Sequence, residues 1–223
     1  MVVAFWTNGG PGCSGLIGFL TEQGPFRPNS DMTLTLNQFS WNTVANMVFI
    51  EQPAGVGFSF SYNTSDYKTG DAQSASDNYE LIQAFMSRFP EYRKNDLYIS
   101  SESYGGHYMP TLAKQIVLEN SRNSNLETKL NFKGFAVGNP YTNPFSGLPA
   151  MMETFWGHQL LSLPSWLDFK RNCSDVPYAE IVDDMASNLN SNSVGVDDAT
   201  IENCYGAIEQ VLQEVGSLNP YGI

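Results

Sequence analysis

Positive charge is scarce in this sequence: 11 lysines and arginines stand against 23 aspartates and glutamates, for a formal net charge of −12. Such a chain repels a nucleic-acid backbone and an anionic bilayer, so neither is expected as a partner. Histidine is scarcer still, with His107 and His158 alone available for proton transfer. No run of about 18 apolar residues occurs, so no membrane-spanning helix is expected. The first residues lack the basic-then-apolar form of a signal peptide. Cysteines are three, Cys13, Cys173 and Cys204, an odd number that in a secreted protein places one partner elsewhere. No cofactor and no metal are expected.

What is present suffices for a globular core. At 223 residues, with 42% hydrophobic and 13% aromatic content, one large domain or a domain with an appendage is the natural reading. The chain opens directly on Val2-Val3-Ala4-Phe5-Trp6, a buried-strand composition without a polar lead-in, and is expected to begin inside a longer one. Its organising stretch runs from Asp96 to Pro110: a β-type run, a small-residue corner, then the start of a helix. At the corner stands Ser101-Glu102-Ser103-Tyr104-Gly105, a variant of G-x-S-x-G in which Ser101 replaces the first glycine. That pattern lifts a serine out of a strand-to-helix turn. An ordinary connection is the plain alternative.

Apolar periodicity predicts strands over Val2–Thr7, Met47–Gln52, Asp96–Ser101 and Phe132–Val137. Helices are predicted over Leu16–Gln23, Asp71–Phe89 and Gly105–Glu119, with a hairpin or irregular connection over Arg27–Trp41. Within Asp71–Phe89, Ala72, Ala75, Tyr79, Ile82, Phe85, Met86 and Phe89 make the stripe expected to face the sheet. Alternating strands and helices call for an α/β fold with a mostly parallel sheet and helices on both faces. Beyond Asn143 the pattern changes to helices over Met151–Leu161, Pro164–Asn172, Ala179–Leu189 and Asp198–Val215. The expected organisation is a core over 1–145, an inserted helical cap over 146–218, and a return to the core at 219–223.

Three further stretches join the serine motif: Trp6-Thr7-Asn8-Gly9-Gly10-Pro11-Gly12-Cys13-Ser14-Gly15, Asn46 to Ser59 around Glu51-Gln52-Pro53-Ala54-Gly55-Val56-Gly57-Phe58, and Gly134-Phe135-Ala136-Val137-Gly138-Asn139-Pro140. Together with Glu-Ser-Tyr-Gly-Gly-His-Tyr they closely resemble the serine carboxypeptidase family, an α/β-hydrolase family, over most of residues 1–145. The resemblance implies a peptidase that releases C-terminal residues through an acyl-enzyme, with Ser103 as nucleophile and the backbone N–H groups of Gly10 and Tyr104 as oxyanion hole. It also implies an extracellular or vacuolar-lysosomal setting, and Asn8, Gly9, Glu22 and Glu102 as the binding set for a substrate carboxylate. The family's catalytic Asp and His come from late strands after the cap, so the chain is expected to be truncated at both ends and inactive by itself.

A serine needs a histidine base oriented by an acid. His107 lies one helical turn past Ser103, where its ring is expected beside the helix rather than at the hydroxyl, and His158 falls in the cap. No arginine or lysine is read near the site, so Glu102 is expected to hold a proton, shared with Glu22, and to donate to the substrate carboxylate under acid conditions. Cys173 and Cys204 flank one loop-rich excursion and are expected to pair; Cys13 resembles a family cysteine whose partner lies further on. Asn63-Thr64-Ser65 is a glycosylation candidate and Asn172-Cys173-Ser174 a poorer one. Two other readings stay open: an acyltransferase on the same fold, and a truncated binding module without catalysis.

Overall fold

A computed structural model of the chain describes residues 1–125, 128–174, 176 and 198–218. It divides into two compact units, Met1–Thr142 and Asn143–Ile223.

In the first unit the apolar run Val2–Thr7 forms β1, with Val3, Phe5 and Trp6 buried. A short helix α1 (Leu16–Thr21) and an antiparallel pair, β2 (Phe26–Pro28) and β3 (Leu34–Leu36), follow. Next come β4 (Ala45–Phe49), α2 (Asp71–Arg88), β5 (Leu97–Glu102), α3 (Gly105–Arg122) and β6 (Phe132–Gly138). The sheet is parallel in the order β4-β1-β5-β6, so β1 is interior and paired on both sides. Because β4 must match β1 residue for residue, it starts at Ala45 opposite Val2 and stops at Phe49 opposite Trp6. Of the run expected over Met47–Gln52, Met47, Val48 and Phe49 pair with Ala4, Phe5 and Trp6, whereas Ile50, Glu51 and Gln52 lie beyond the strand.

Side chains alternate across a strand, so Val3 and Phe5 of β1 point to one face while Ala4 and Trp6 point to the other. Val3, Phe5, Leu97 and Ile99 share one buried cluster with Ile82 and Met86 of α2 and with Met109, Leu112 and Ile116 of α3. On the opposite face α1 packs through Gly18 against the Trp6 indole, and its Phe19 meets Phe49 edge-on at 5.1 Å. Helices therefore cover both faces. In α2 the expected stripe shifts slightly: Ala72 and Phe89 are exposed, whereas Ser74 and Asn78 are buried. Burial of Asn78 is tolerated because its amide donates to Ser74 O at 2.8 Å and to Gln52 Oε1 at 3.2 Å.

The second unit holds α4 (Pro144–Gly157), α5 (Leu163–Cys173) and α6 (Asp198–Val215). They have a core of their own that includes Met152, Phe155, Phe169, Ile208 and Val211. A disulfide joins buried Cys173 to Cys204, with Cα atoms 4.9 Å apart. The helix α4 begins well before Met151, since Pro144 occupies the first helical position, where a missing N–H costs nothing. The helix expected over Ala179–Leu189 and the return to the core at 219–223 lie outside the described residues.

Candidate active site

The turn between β5 and α3 is a strained elbow. Ser103 adopts φ +52°, left-handed backbone that a non-glycine residue occupies only where its surroundings hold it. Three backbone hydrogen bonds do so: Ser103 N–H donates to Gly138 O at 3.0 Å, and Ser103 O accepts from Gly106 N–H at 3.0 Å and Tyr141 N–H at 2.7 Å. Small residues make the corner possible. A Cβ on Gly105 would collide with the Ser101 side chain, so the Ser101 substitution in the motif is matched by a glycine facing it.

The glycine-rich loop after β1 lies against this elbow. A Cβ on Gly9 would come within 2.5 Å of Glu102 O and 2.6 Å of Tyr104 N, and 3.2 Å from Ser103 Cβ. Gly10 follows with φ +115°, backbone that only glycine adopts freely. Asn8, immediately before, is 1% exposed and bonded at both ends. Its Oδ1 accepts from Trp6 Nε1 at 2.9 Å and from Gly18 N–H at 3.1 Å. With the carbonyl so fixed, the amide nitrogen must face the acids: it donates to Glu102 Oε1 at 2.9 Å and to Glu22 Oε1 at 3.4 Å.

Two carboxyls thus share one amide and contact one another. The Glu22 carboxyl is raised above its ordinary range, first by burial and then by the charge of Glu102; the Asn8 hydrogen bond works in the opposite direction, as does Arg27. The Arg27 guanidinium donates to Glu22 O at 2.6 Å, so the expectation of no arginine near the acids does not hold. A hydrogen bond between the two carboxyls also favours the protonated form of Glu22.

His107 does not approach the serine hydroxyl. Its Nδ1 lies 3.6 Å from Asp71 Oδ2, and its ring stacks on Tyr104 at 4.8 Å. Tyr104 OH donates to the other oxygen of Asp71 at 3.1 Å, and burial together with that carboxylate pushes the phenol well above its usual range, so it stays a donor. Among the described residues no side chain bonds Ser103 Oγ. His158, exposed at the end of α4, belongs to the second unit. Asn63 is exposed and accepts Ser65 N–H at 3.2 Å, and Cys13 is an exposed free thiol among the described residues. No group of three or more metal-ligating side chains occurs among those residues. No helix there is long and apolar enough to cross a membrane.

The structure brings Asn8, Glu22 and Glu102 together beside the Ser103 elbow, as expected of neighbours in one site, and adds three partners that sequence reasoning did not name. Asp71 reads as an ordinary acidic helix start, Trp6 as a core aromatic, and Ser14 as a turn residue; only the folded chain reveals the groups they bond.

A parallel sheet with a left-handed serine between strand and helix, backed by a glycine loop, is the architecture of an α/β-hydrolase. Comparison with known proteins narrows this further. The family model described as serine carboxypeptidase matches residues 2–223. Serine carboxypeptidase-like 28 of Arabidopsis thaliana is 37% identical over 99% of the chain and 44% of its own length. Serine carboxypeptidase-like 40 of the same plant is 47% identical over 75% of the chain and 33% of its own length. Among solved structures, a prohormone-processing carboxypeptidase from Saccharomyces cerevisiae superposes with a TM-score of 0.74 at 26% identity, over 99% of this chain and 46% of that one. The chain belongs to the serine carboxypeptidase family, and it spans less than half the length of these relatives.

Proposed function

We propose that this chain carries the nucleophile and the carboxylate-recognition half of a serine carboxypeptidase that removes C-terminal residues from peptides through an acyl-enzyme. The observation that carries the reading is the junction of two devices in one unit. Ser103 stands in a strained elbow, and the Glu22–Asn8–Glu102 cluster abuts the same glycine loop. In this mechanism Ser103 Oγ attacks the scissile carbonyl, and the Gly10 and Tyr104 N–H groups receive the developing oxyanion. Each such donor is worth about 10²–10³-fold in rate.

Selection for chain ends follows from Asn8, Gly9 N–H, Glu22 and Glu102 as the set that binds the terminal carboxylate. An anion is accepted among acids because the pair holds a proton and presents it as a donor. The raised Glu22 carboxyl supplies that proton, so binding weakens as pH rises through its elevated value. The base that activates Ser103 comes from outside the Met1–Thr142 unit, since His107 is turned to Asp71. An extracellular or vacuolar setting is consistent with the Cys173–Cys204 disulfide and with the exposed sequon at Asn63.

The test pairs a fluorophosphonate probe with peptides. In the complete enzyme the probe should modify Ser103 alone, and a peptide acid should be shortened while its C-terminal amide survives under acid conditions. Modification of another serine, or equal turnover of acid and amide at acid pH, would overturn the reading.

A further inference from the structure

The glycine loop lies against the elbow, the loop after β4 lies against the glycine loop, and both are largely exposed. In the glycine loop residues 10–13 are exposed; in the loop after β4, Phe58 and Phe60 are 85% and 66% exposed. These segments gain little from apolar burial, so hydrogen bonds carry much of what positions them. Besides bonds within each loop and one from the Gly12 backbone to Tyr108, the bonds that join the two loops meet at one residue, Glu51.

The Glu51 carboxyl is divided between the loops. Oε1 accepts the Ser14 hydroxyl at the end of the glycine loop, and Oε2 accepts Phe58 N–H at 2.7 Å. Its backbone carbonyl accepts the Ser59 hydroxyl at 2.6 Å. Ser14 Oγ in turn accepts Leu16 N–H at 3.2 Å, which carries the tie into the start of α1. The second loop wraps the carboxyl so closely that a Cβ on Gly57, at φ +56°, would collide with it. The loops also approach one another at Gly12, where a Cβ would meet Val56 Cγ2 at 3.9 Å.

We propose that Glu51 is a positioning residue of the acyl-transfer site, a single side chain that locks the glycine loop to the 53–60 loop and thereby aims the glycine-loop N–H donors, without touching substrate. Its catalytic consequence rests on the function proposed above; the lock itself does not. Removing a carboxylate that accepts from both loops releases two bonds together. Hydrogen bonds to charged groups are among the stronger ones, so opening of each loop should rise about tenfold or more.

The test is hydrogen–deuterium exchange of the full chain, read at residues 10–15 and 56–59. Glu51→Leu fills similar volume without acceptors and should speed exchange in both segments together, about tenfold or more. Glu51→Gln should stay within about threefold of the parent, because its amide oxygen accepts Phe58 N–H while its NH₂ donates to Ser14 Oγ. Ser14→Ala should loosen the first segment alone. The proposal falls if Glu51→Leu leaves either segment at the parental rate, or if Glu51→Gln is as loose as Glu51→Leu. In the complete enzyme a peptidyl boronic acid provides the second readout, its tetrahedral adduct on Ser103 followed by boron NMR. Affinity should drop about tenfold in Glu51→Leu and recover in Glu51→Gln; parental affinity in Glu51→Leu would overturn the positioning role. A complete parent enzyme that forms no adduct, while the chain shows the coupled exchange, would refute the assignment of Ser103 and leave the lock standing.

Discussion

At the scale of single residues, the site is governed by two departures from ordinary behaviour, one electrostatic and one conformational. The electrostatic one is Glu22. Its folded-state value lies above the ordinary glutamate value of 4.5, so the folded chain binds this proton more tightly than the unfolded chain. The stability it contributes is fully present below the unfolded value and is lost as pH rises through the folded one. Urea unfolding at a series of pH values from about 4.5 upward should therefore give a shallower decline for Glu22→Gln than for the parent. Parallel declines would refute the assignment of the raised group. The conformational departure is Ser103. Glycine occupies φ +52° without the Cβ penalty, so Ser103→Gly should stabilise the chain by about 1 kcal/mol, whereas Ser103→Ala keeps the strain and should not. A destabilised Ser103→Gly in thermal unfolding would show that the turn stores no strain.

Elements carry this chemistry by close approach rather than by bulk. Gly9 meets Tyr104 N and Glu102 O, and Gly105 meets Ser101, whereas a Cβ on Gly134 in β6 would meet nothing within 4 Å. Alanine at Gly9 or Gly105 should cost about 1–3 kcal/mol as overpacking, against a negligible loss for Gly134→Ala, measured as unfolding midpoints in urea. Equal losses at the three positions would sink the close-approach account. The same contrast explains what the sequence discloses. The strand and helix cores were legible because burial leaves a periodic trace: Val2–Thr7 became β1 with the expected bounds, and Asp71–Phe89 lost one residue as α2. The buried polar positions were not. Asn78 turns inward because Gln52 and the Ser74 carbonyl accept its amide, and the bonds of Asn8 to Trp6 and Gly18, or of Tyr104 to Asp71, join residues that hydropathy treats as unrelated. The motif at Ser103 was readable because a sharp turn demands small residues nearby. The orientation of His107 was readable only in part: its distance from the hydroxyl follows from helical spacing, but its partner Asp71 comes from another element.

At the scale of the whole molecule, two units with separate cores should unfold as separate cooperative blocks, and the disulfide offers a way to tell them apart. Cys173 and Cys204 are 31 residues apart and bridge α5 to α6. Closing a loop of that length removes chain entropy from the unfolded state and contributes about 3–4 kcal/mol in the loop-entropy account. All of that benefit belongs to the second unit. Each unit also contains its own tryptophan pair, which gives each an optical signature. Trp6 and Trp41 meet edge-on at 5.8 Å in the first, while Trp156 and Trp166 stack at 5.5 Å with their planes 5° apart in the second. Lys170 Nζ sits over the Trp166 ring at 5.4 Å. Near-ultraviolet circular dichroism during heating, with and without reductant, should then separate the two. Reduction is expected to lower the midpoint of the Trp156–Trp166 band while the Trp6–Trp41 band keeps its own, and Trp166→Phe should abolish the first band and so identify it. If both bands move together on reduction, the chain melts as one block, and the disulfide stabilises the sheet that carries Ser103 as well as the helices that contain it.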